Sequence, residues 1–378
     1  MATMTQPTSP QLFREIKMRG ITLPNRIVIA PMCQYSAVEG RMTDWHLAHL
    51  GQLAMSGAGM LIIEATAVEP IGRITAGCVG LWDDDTEAAM HRVIEAIRPM
   101  SSMPIALQLG HAGRKASSQR PWEGGQLIPV SEGGWQTVAP SAIPHLATEA
   151  APLAFDEAGL AALRQRFADS TRRAHRAGID ALELHCAHGY LMHEFLSPIA
   201  NQRTDQWGGS LENRLRFPLA VFEAMRAEWP ENKPLGVRVS SSDWVDGGWD
   251  IEQTVAFGKA LQQRGCDWID ASSGGVSPQQ KIPLAPGYQV PFAARLRAEL
   301  DMPVMAVGLI TEPAHAEQIL VDGQADMIAL ARGMLWNPRW PWHAAAALGA
   351  HVSVPRPYWR SQPSQYKEVF GTIRQGSR

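Results

Sequence analysis

Eight short apolar runs, separated mostly by stretches long enough for a helix, constrain this chain more than any other feature. They are RIVIAPM (26–32), MLIIEAT (60–66), PIALQLG (104–110), ALELHCA (181–187), LGVRVS (235–240), WIDASS (268–273), PVMAVG (303–308) and MIALAR (327–332). They are near-continuous in apolar residues rather than alternating, as expected of strands covered on both faces. Between them, residues 156–178 carry apolar side chains at helical spacing and end on Gly178. Residues 250–265 open on Asp250 as N-cap and close on Gly265, and residues 312–324 are built alike. Eightfold strand–helix alternation predicts an α/β fold, a (β/α)8 TIM barrel. A doubly wound open sheet is the competing architecture, weakened because no GxGxxG follows the first run.

A chain of 378 residues, 45% hydrophobic, suits a single domain of this kind, 1–378. The barrel is expected over about 26–345, after an N-terminal segment 1–25 and before a tail 346–378. Residues 111–155, rich in Gly, Pro, Ser and Trp, form a long insertion after the third strand. The C-terminal extension, from 341, holds PRPYWRSQPSQY. Loops this long in a compact domain are usually functional or disordered.

With 34 basic and 37 acidic residues and no basic run, a nucleic-acid partner is not expected. No stretch is long and apolar enough for a membrane span, and the N-terminal stretch has no signal-peptide core. Cys33, Cys78, Cys186 and Cys266 are dispersed, without a CxxC pair, which fits a reducing compartment, and the cytoplasm is the expected setting.

In such barrels the C-terminal strand ends make the active site. Strand four ends in HCAHGY, which places His185, His188 and Tyr190 there. Two imidazoles and a phenol could hold a metal, form an acid–base set, or simply pack. A zinc site wants three protein ligands. His111 could join His185 and His188, but Glu64 is the one acid found beside these strand ends. The glycine turns after strands seven and eight, VGLIT and ARGML, suit a phosphate, with Arg332 supplying charge. Arg238, inside an apolar strand, needs an anion or an electron-rich ring. A phosphorylated, electron-accepting cofactor such as flavin mononucleotide (FMN) would explain both arginines.

The motifs APMCQY, QLGHAGRKA, HCAHGYLMHEFLSPIANQRTDQWGGSLENR, PGYQV and AVGLIT, in this order over nearly the whole chain, resemble those of the old yellow enzymes, flavin-dependent ene-reductases. The likeness is to the thermophilic-like subgroup that is similar to xenobiotic reductase A. The resemblance implies that Ala30, Pro31, Met32 and Cys33 line the flavin, and that Ala65 and Gln108 touch its ring. Arg238 then lies beside the N1/C2 carbonyl edge, and Gly308, Ala331 and Arg332 form the phosphate cradle, with Ala331 where many relatives have glycine. His185 and His188 look like donors to a substrate oxygen that gains negative charge. Tyr190 resembles the proton donor to the α-carbon, and Tyr35 a substrate contact. Cys33 is expected to tune the flavin without bonding to it, and the other three thiols to be structural. The function implied is NADPH-dependent reduction of enones, maleimides or nitroalkenes through FMN by a ping-pong mechanism, with NADH as the other candidate donor. Trp359 or Arg360 of the tail is expected to enter a neighbour's site in a homodimer or homotetramer.

Packing readings stand beside these: His185 as a backbone-bonded core histidine, Tyr190 as a packing residue, Tyr35 as a rim aromatic. RTDQWGGSLENR reads as a structural brace, with Asp205 bonding nearby arginines and Ser210 capping the next helix. The alternative functions are a metal-dependent TIM-barrel hydrolase, an iron–sulfur dienoyl-CoA reductase, disfavoured by the dispersed cysteines, and a non-enzymatic barrel.

Overall fold

A computed structural model describes residues 9–371; residues 1–8 and 372–378, assigned above to the N-terminal segment and the tail, lie outside the described residues. All eight runs form strands of one closed parallel barrel: β1 (Ile27–Ile29), β2 (Met60–Ala67), β3 (Ile105–Gly110), β4 (Ala181–Cys186), β5 (Leu235–Ser240), β6 (Ile269–Ser272), β7 (Val304–Ala306) and β8 (Met327–Leu330). The strands follow each other in sequence order, and the barrel closes where Ile328 of β8 sits opposite Ile27 of β1. Several strands are shorter than their apolar runs. β1 stops before Pro31, which has no N–H for the ladder. β7 stops before Gly308, whose φ of 126° suits only glycine. β8 stops because Arg332 already opens a helix.

Around the strands run α1 (Asp44–Ala54), α2 (Asp84–Ile97), α3 (Glu157–Arg176), α4 (Leu191–Leu196), α5 (Leu211–Glu228), α6 (Ile251–Gln262), α7 (Val290–Arg297), α8 (Pro313–Val321), α9 (Arg332–Trp336) and α10 (Trp340–Leu348). Two caps are those the sequence implied: Asp250 accepts from Gln253 N at 2.9 Å and Ser210 from Asn213 N at 3.3 Å; Asp156 likewise accepts from Gly159 N at 2.7 Å. Asp205 pairs with Arg203, whose Nη1 also bonds the carbonyls of Pro140 and Phe155, so the brace ties the insertion to the barrel.

Strand periodicity divides the core in two. Ile27, Ile29, Leu61, Ile63, Leu182 and Leu184 point outward into the layer under the helices, while Val28, Met60, Ile62, Ala106, Met305 and Met327 fill the barrel. Full burial of such side chains contributes roughly 1.5–3 kcal/mol each. The lower end is plugged by an antiparallel hairpin, Ile16–Met18 with Ile21–Leu23, whose Met18 and Leu23 join the inner cluster. Trp268 lies wholly inside the barrel, and a Cβ at Gly236 would stand 2.0 Å from its indole, so the glycine of LGVRVS is required by space.

The insertion is ordered. It carries three short 3-10 turns and a two-residue parallel pair, Val138–Ala139 with Leu153–Ala154. The tail boundary at 346 falls inside α10, which ends at Gly349 (φ 68°). Beyond it, Val352, Val354, Val369 and Phe370 build a small core on α10, with a 3-10 turn at Arg356–Ser361.

Candidate active site

His185 is the penultimate residue of β4 and points inward, whereas Cys186, next to it, is buried on the outer side. The chain then turns through two left-handed residues, His188 (φ 61°) and Gly189 (φ 72°), before Tyr190 caps α4. Gly189 cannot carry a side chain: a Cβ there would lie 2.1 Å from the carbonyl oxygen of Gly275. The turn brings three rings together. His185 stands edge-to-face with His188 at 5.2 Å and with Tyr190 at 5.1 Å between centroids. His185 Nδ1 accepts the Ala187 N–H at 3.3 Å, so its hydrogen sits on Nε2. His188 Nε2 lies 2.7 Å from Ser272 Oγ, and its backbone N–H donates to Ser240 Oγ at 2.9 Å. The Ser272 hydroxyl also lies 3.4 Å from Gln289 Oε1, to which it donates.

Burial and the neighbouring Arg238 hold both imidazoles far below the ordinary histidine range, so both rings are neutral at neutral pH. Burial holds the Tyr190 phenol well above its ordinary value, so it keeps its proton. Lys115 lies over the Tyr190 ring, its Nζ 5.1 Å from the centroid, and bonds the carbonyls of His188 (2.8 Å) and Gly275 (3.0 Å). Burial pushes its ammonium down to about 8.

A cavity beside these rings is bounded by Ala65, Ile74, Cys78, His111, His185 and Tyr190. Ala65 reaches it through a register shift in β2 between Ile63 and Thr66. Cys78, expected to be structural, also borders this cavity. Its thiol is hydrogen-bonded to that of Cys33; this contact and burial push the Cys33 thiol up, so it remains protonated. Tyr35, in a left-handed conformation (φ 54°), stands edge-on to Trp122 of the insertion at 5.7 Å and is half-buried.

One level deeper, Gln108, Glu183, Arg238 and Asp270 form a polar layer across the barrel. Gln108 Nε2 donates to Glu183 Oε1 at 2.8 Å, and Trp268 Nε1 to Oε2 at 3.1 Å. Arg238 Nε lies 3.1 Å from Asp270 Oδ2 without the alignment of a hydrogen bond. Burial and the charge of Asp270 push Glu183 up to about 7, against the pull of Arg238. The inward arginine therefore has an anion within the protein.

Arg238 also borders a cleft of about 180 Å³ at the ends of β6–β8, with Gly308, Leu309, Ala331, Arg332 and Gly333. Ala331 has φ −102°, which a side chain tolerates, and a Cβ at Gly333 would meet nothing within 4 Å. Two guanidiniums and side-chain-free backbone fit a phosphorylated cofactor. Ala30, Pro31, Met32 and Cys33 follow β1, between this cleft and the ring cluster in the order of strands.

Other candidates are engaged elsewhere. His111 bonds Glu69 through Nε2 (3.2 Å) and accepts from Gly113 N through Nδ1 (3.0 Å), so neither nitrogen is free as a metal ligand. Glu64 accepts from Gln34 N at 3.1 Å and lies 3.4 Å from His46, which braces the loop after β1. Trp359 and Arg360 lie in the 3-10 turn on the α10 side and border neither the ring cavity nor the cleft. Lys115, Glu183, Asp270, Ser240 and Ser272 escaped the sequence reading. Lys115 stood in the quoted QLGHAGRKA, and Glu183 and Asp270 were the charges inside apolar runs, the same signal that picked out Arg238.

The family model described as NADH:flavin oxidoreductase / NADH oxidase family matches residues 11–350. An NADPH dehydrogenase of Geobacillus thermodenitrificans is 41% identical over 351 residues, 92% of this chain and 98% of that protein. An NADPH dehydrogenase of Bacillus subtilis is 40% identical over 93% of this chain and 98% of its own length. Among solved structures, morphinone reductase in complex with tetrahydroNAD superposes with a TM-score of 0.74 at 28% identity, over 94% of each chain.

Proposed function

The chain belongs to the NADH:flavin oxidoreductase / NADH oxidase family, the old yellow enzymes, as an FMN- and NAD(P)H-dependent oxidoreductase, and from that premise we propose that it reduces activated C=C bonds. The acceptors are enones, maleimides and nitroalkenes, the donor is NADPH, and the two meet the same site in turn, a ping-pong scheme. FMN, when bound, would supply hydride transfer between the nicotinamide and the acceptor's β-carbon. Gln108, Arg238 and the segment Ala30–Cys33 with Ala65 would hold the ring, and Gly308, Ala331 and Arg332 the phosphate.

The observation that carries this reading is the cluster of His185, His188 and Tyr190, three neutral rings at the barrel mouth with His188 and Tyr190 both packed edge-to-face on His185. As hydride reaches the β-carbon, charge collects on the substrate's oxygen. His185 Nε2–H and the His188 imidazole hold that oxygen, and because both are neutral they can do so without giving up a proton. Tyr190 gives its phenol proton to the α-carbon, an acid of ordinary pKa near ~10 against a far more basic enolate. The protonated Cys33 thiol tunes the ring electronically, and Tyr35 bounds the substrate from the rim.

The tail completes a second copy's site. Trp359 or Arg360, remote from the chain's own cleft, enters that of a neighbour in a homodimer or homotetramer. Removing residues from Pro355 onward raises the substrate KM, and a strictly monomeric protein by light scattering refutes this part. For the activity itself, the test is the spectrum of the FMN-loaded protein: NADPH bleaches the yellow colour and cyclohexenone restores it without oxygen. A protein that NADPH bleaches but no enone, maleimide or nitroalkene recolours would refute the acceptor assignment.

A further inference from the structure

The turn that carries His188 and Tyr190 is backed by a buried pair that the proposed reaction does not use. His193 Nε2 lies 2.8 Å from Asp243 Oδ1, and neither side chain is exposed. His193 Nδ1 accepts the N–H of Gly189 at 2.8 Å. Asp243 Oδ2 accepts from Ser197 Oγ (2.6 Å) and from Trp249 N (2.7 Å). Burial pushes the Asp243 carboxyl up, but His193, the Ser197 hydroxyl and the Trp249 N–H outweigh it and hold it below its ordinary value. Asp243 is therefore an acceptor only. It forces the His193 hydrogen onto Nε2 and leaves a lone pair on Nδ1, the one state that can receive Gly189.

That bond falls at a critical place. His188 and Gly189 are consecutive left-handed residues, and such a conformation at a non-glycine residue is strained and persists only where its surroundings over-determine it. Ser240 fixes the His188 N–H and Lys115 the His188 carbonyl. The next N–H, that of Gly189, is fixed by His193, and Tyr190 follows it.

We propose that His193 and Asp243 are positioning residues of the reaction: the carboxylate sets the imidazole tautomer, and the imidazole holds the Gly189 N–H so that His188 and Tyr190 face the substrate. This rests on the roles given above to those two side chains. The pair ties the loop after β4 to the loop after β5, so the site's geometry depends on two barrel loops at once.

Two substitutions in the FMN-loaded enzyme separate the two bonds. His193→Gln keeps a donor for Asp243 but offers Gly189 no acceptor. His193→Asn places Oδ1 where Nδ1 was and accepts from Gly189, but no longer reaches Asp243, so it is the less stable protein. Stopped-flow reoxidation by cyclohexenone slows in His193→Gln by on the order of 10²-fold, the scale of a 1 Å misplacement, and recovers to within roughly tenfold of wild type in His193→Asn. Reduction by NADPH changes far less. Adding His193→Gln to Tyr190→Phe slows reoxidation by clearly less than the product of the two single effects, because part of the effect passes through Tyr190. Asp243→Asn, which can present N–H₂ to the ring and flip its tautomer, behaves like His193→Gln and serves if the latter does not fold. Rates that instead follow melting temperature, with Asn slower than Gln, or full additivity with Tyr190→Phe, overturn the proposal and reduce the pair to a stability element. If Tyr190→Phe itself reoxidises at the wild-type rate, the proton-donor role fails. The pair is then judged through His188 by titrating oxidised enzyme with phenol: affinity must drop in His193→Gln and return in His193→Asn, and unchanged affinity overturns it.

Discussion

Tyr190→Phe separates chemistry from structure because the two effects differ so much in size. The ring stays, with its edge-to-face contact to His185 and the Lys115 ammonium above it. No side chain among the described residues bonds the hydroxyl, so its loss leaves no buried partner unsatisfied, and stability should move by no more than about 0.5 kcal/mol. The reaction, in contrast, loses its general acid, which is worth roughly 10²–10⁴ in rate, or about 3–5 kcal/mol of barrier. The melting temperature of the variant should therefore match wild type, and phenol should still bind and give its charge-transfer band. NADPH should still reduce the flavin at nearly the normal rate. Reoxidation by cyclohexenone, followed by stopped-flow absorbance without oxygen, should fall by two to four decades, and less for nitroalkenes, whose reduced form takes its proton readily from water. Burial holds the phenol well above its ordinary value, so the wild-type rate should show no alkaline loss from this group up to about pH 9. Wild-type reoxidation by the variant would refute the reasoning, and the proton would then come from solvent.

Replacing both His185 and His188 by Ala should abolish the phenol charge-transfer band, each lost donor removing roughly 3–4 kcal/mol of stabilisation of the developing anion; a persistent band would refute their role. Cys33→Ala should retain FMN but shift its midpoint potential, read by potentiometry, and an unchanged potential would leave Cys33 as packing. Gly236→Ala should lower stability in urea by at least ~1–3 kcal/mol, since the new methyl meets the Trp268 indole at 2.0 Å in a full barrel. Glu194, pushed up to about 8 mainly by burial, keeps a proton in the folded chain that an unfolded carboxyl releases near ~4.5. Stability is therefore lost as pH rises from that value to about 8, and Glu194→Gln should melt progressively higher than wild type across this window; a pH-independent difference would refute the assignment.

The barrel was legible because β2, β3, β4 and the rest are short, continuous apolar runs separated by capped helices, and a parallel barrel buries both strand faces. The ring cluster was legible in part. HCAHGY announced itself as polar residues at the end of an apolar run, but nothing local shows that His188 sits left-handed or that Ser272, 84 residues away, meets its Nε2. That Cys78 and Cys33 come together across the β1–β2 gap was not legible, since no spacing rule joins two dispersed thiols. The hairpin plug was missed for a related reason: Ile16–Met18 and Ile21–Leu23 are too short to show a period, and they earn their place only against Trp268 and Met327. Asp243 lies in SSDWVDGGWD, which reads as an ordinary acidic loop until β4 and β5 are laid side by side.

The hairpin plug has a consequence for how the enzyme is assembled. With Met18, Leu23 and Trp268 sealing the lower end, the barrel has one open face, and its inner wall below the polar layer is already full of side chains. Nothing can thread in from beneath or be trapped as the strands close. The prosthetic group's route in and out is then the open rim, and we expect it to load onto a barrel already closed. Maturation is then a reversible loading step rather than part of folding, and free FMN raises the apparent melting temperature by mass action alone.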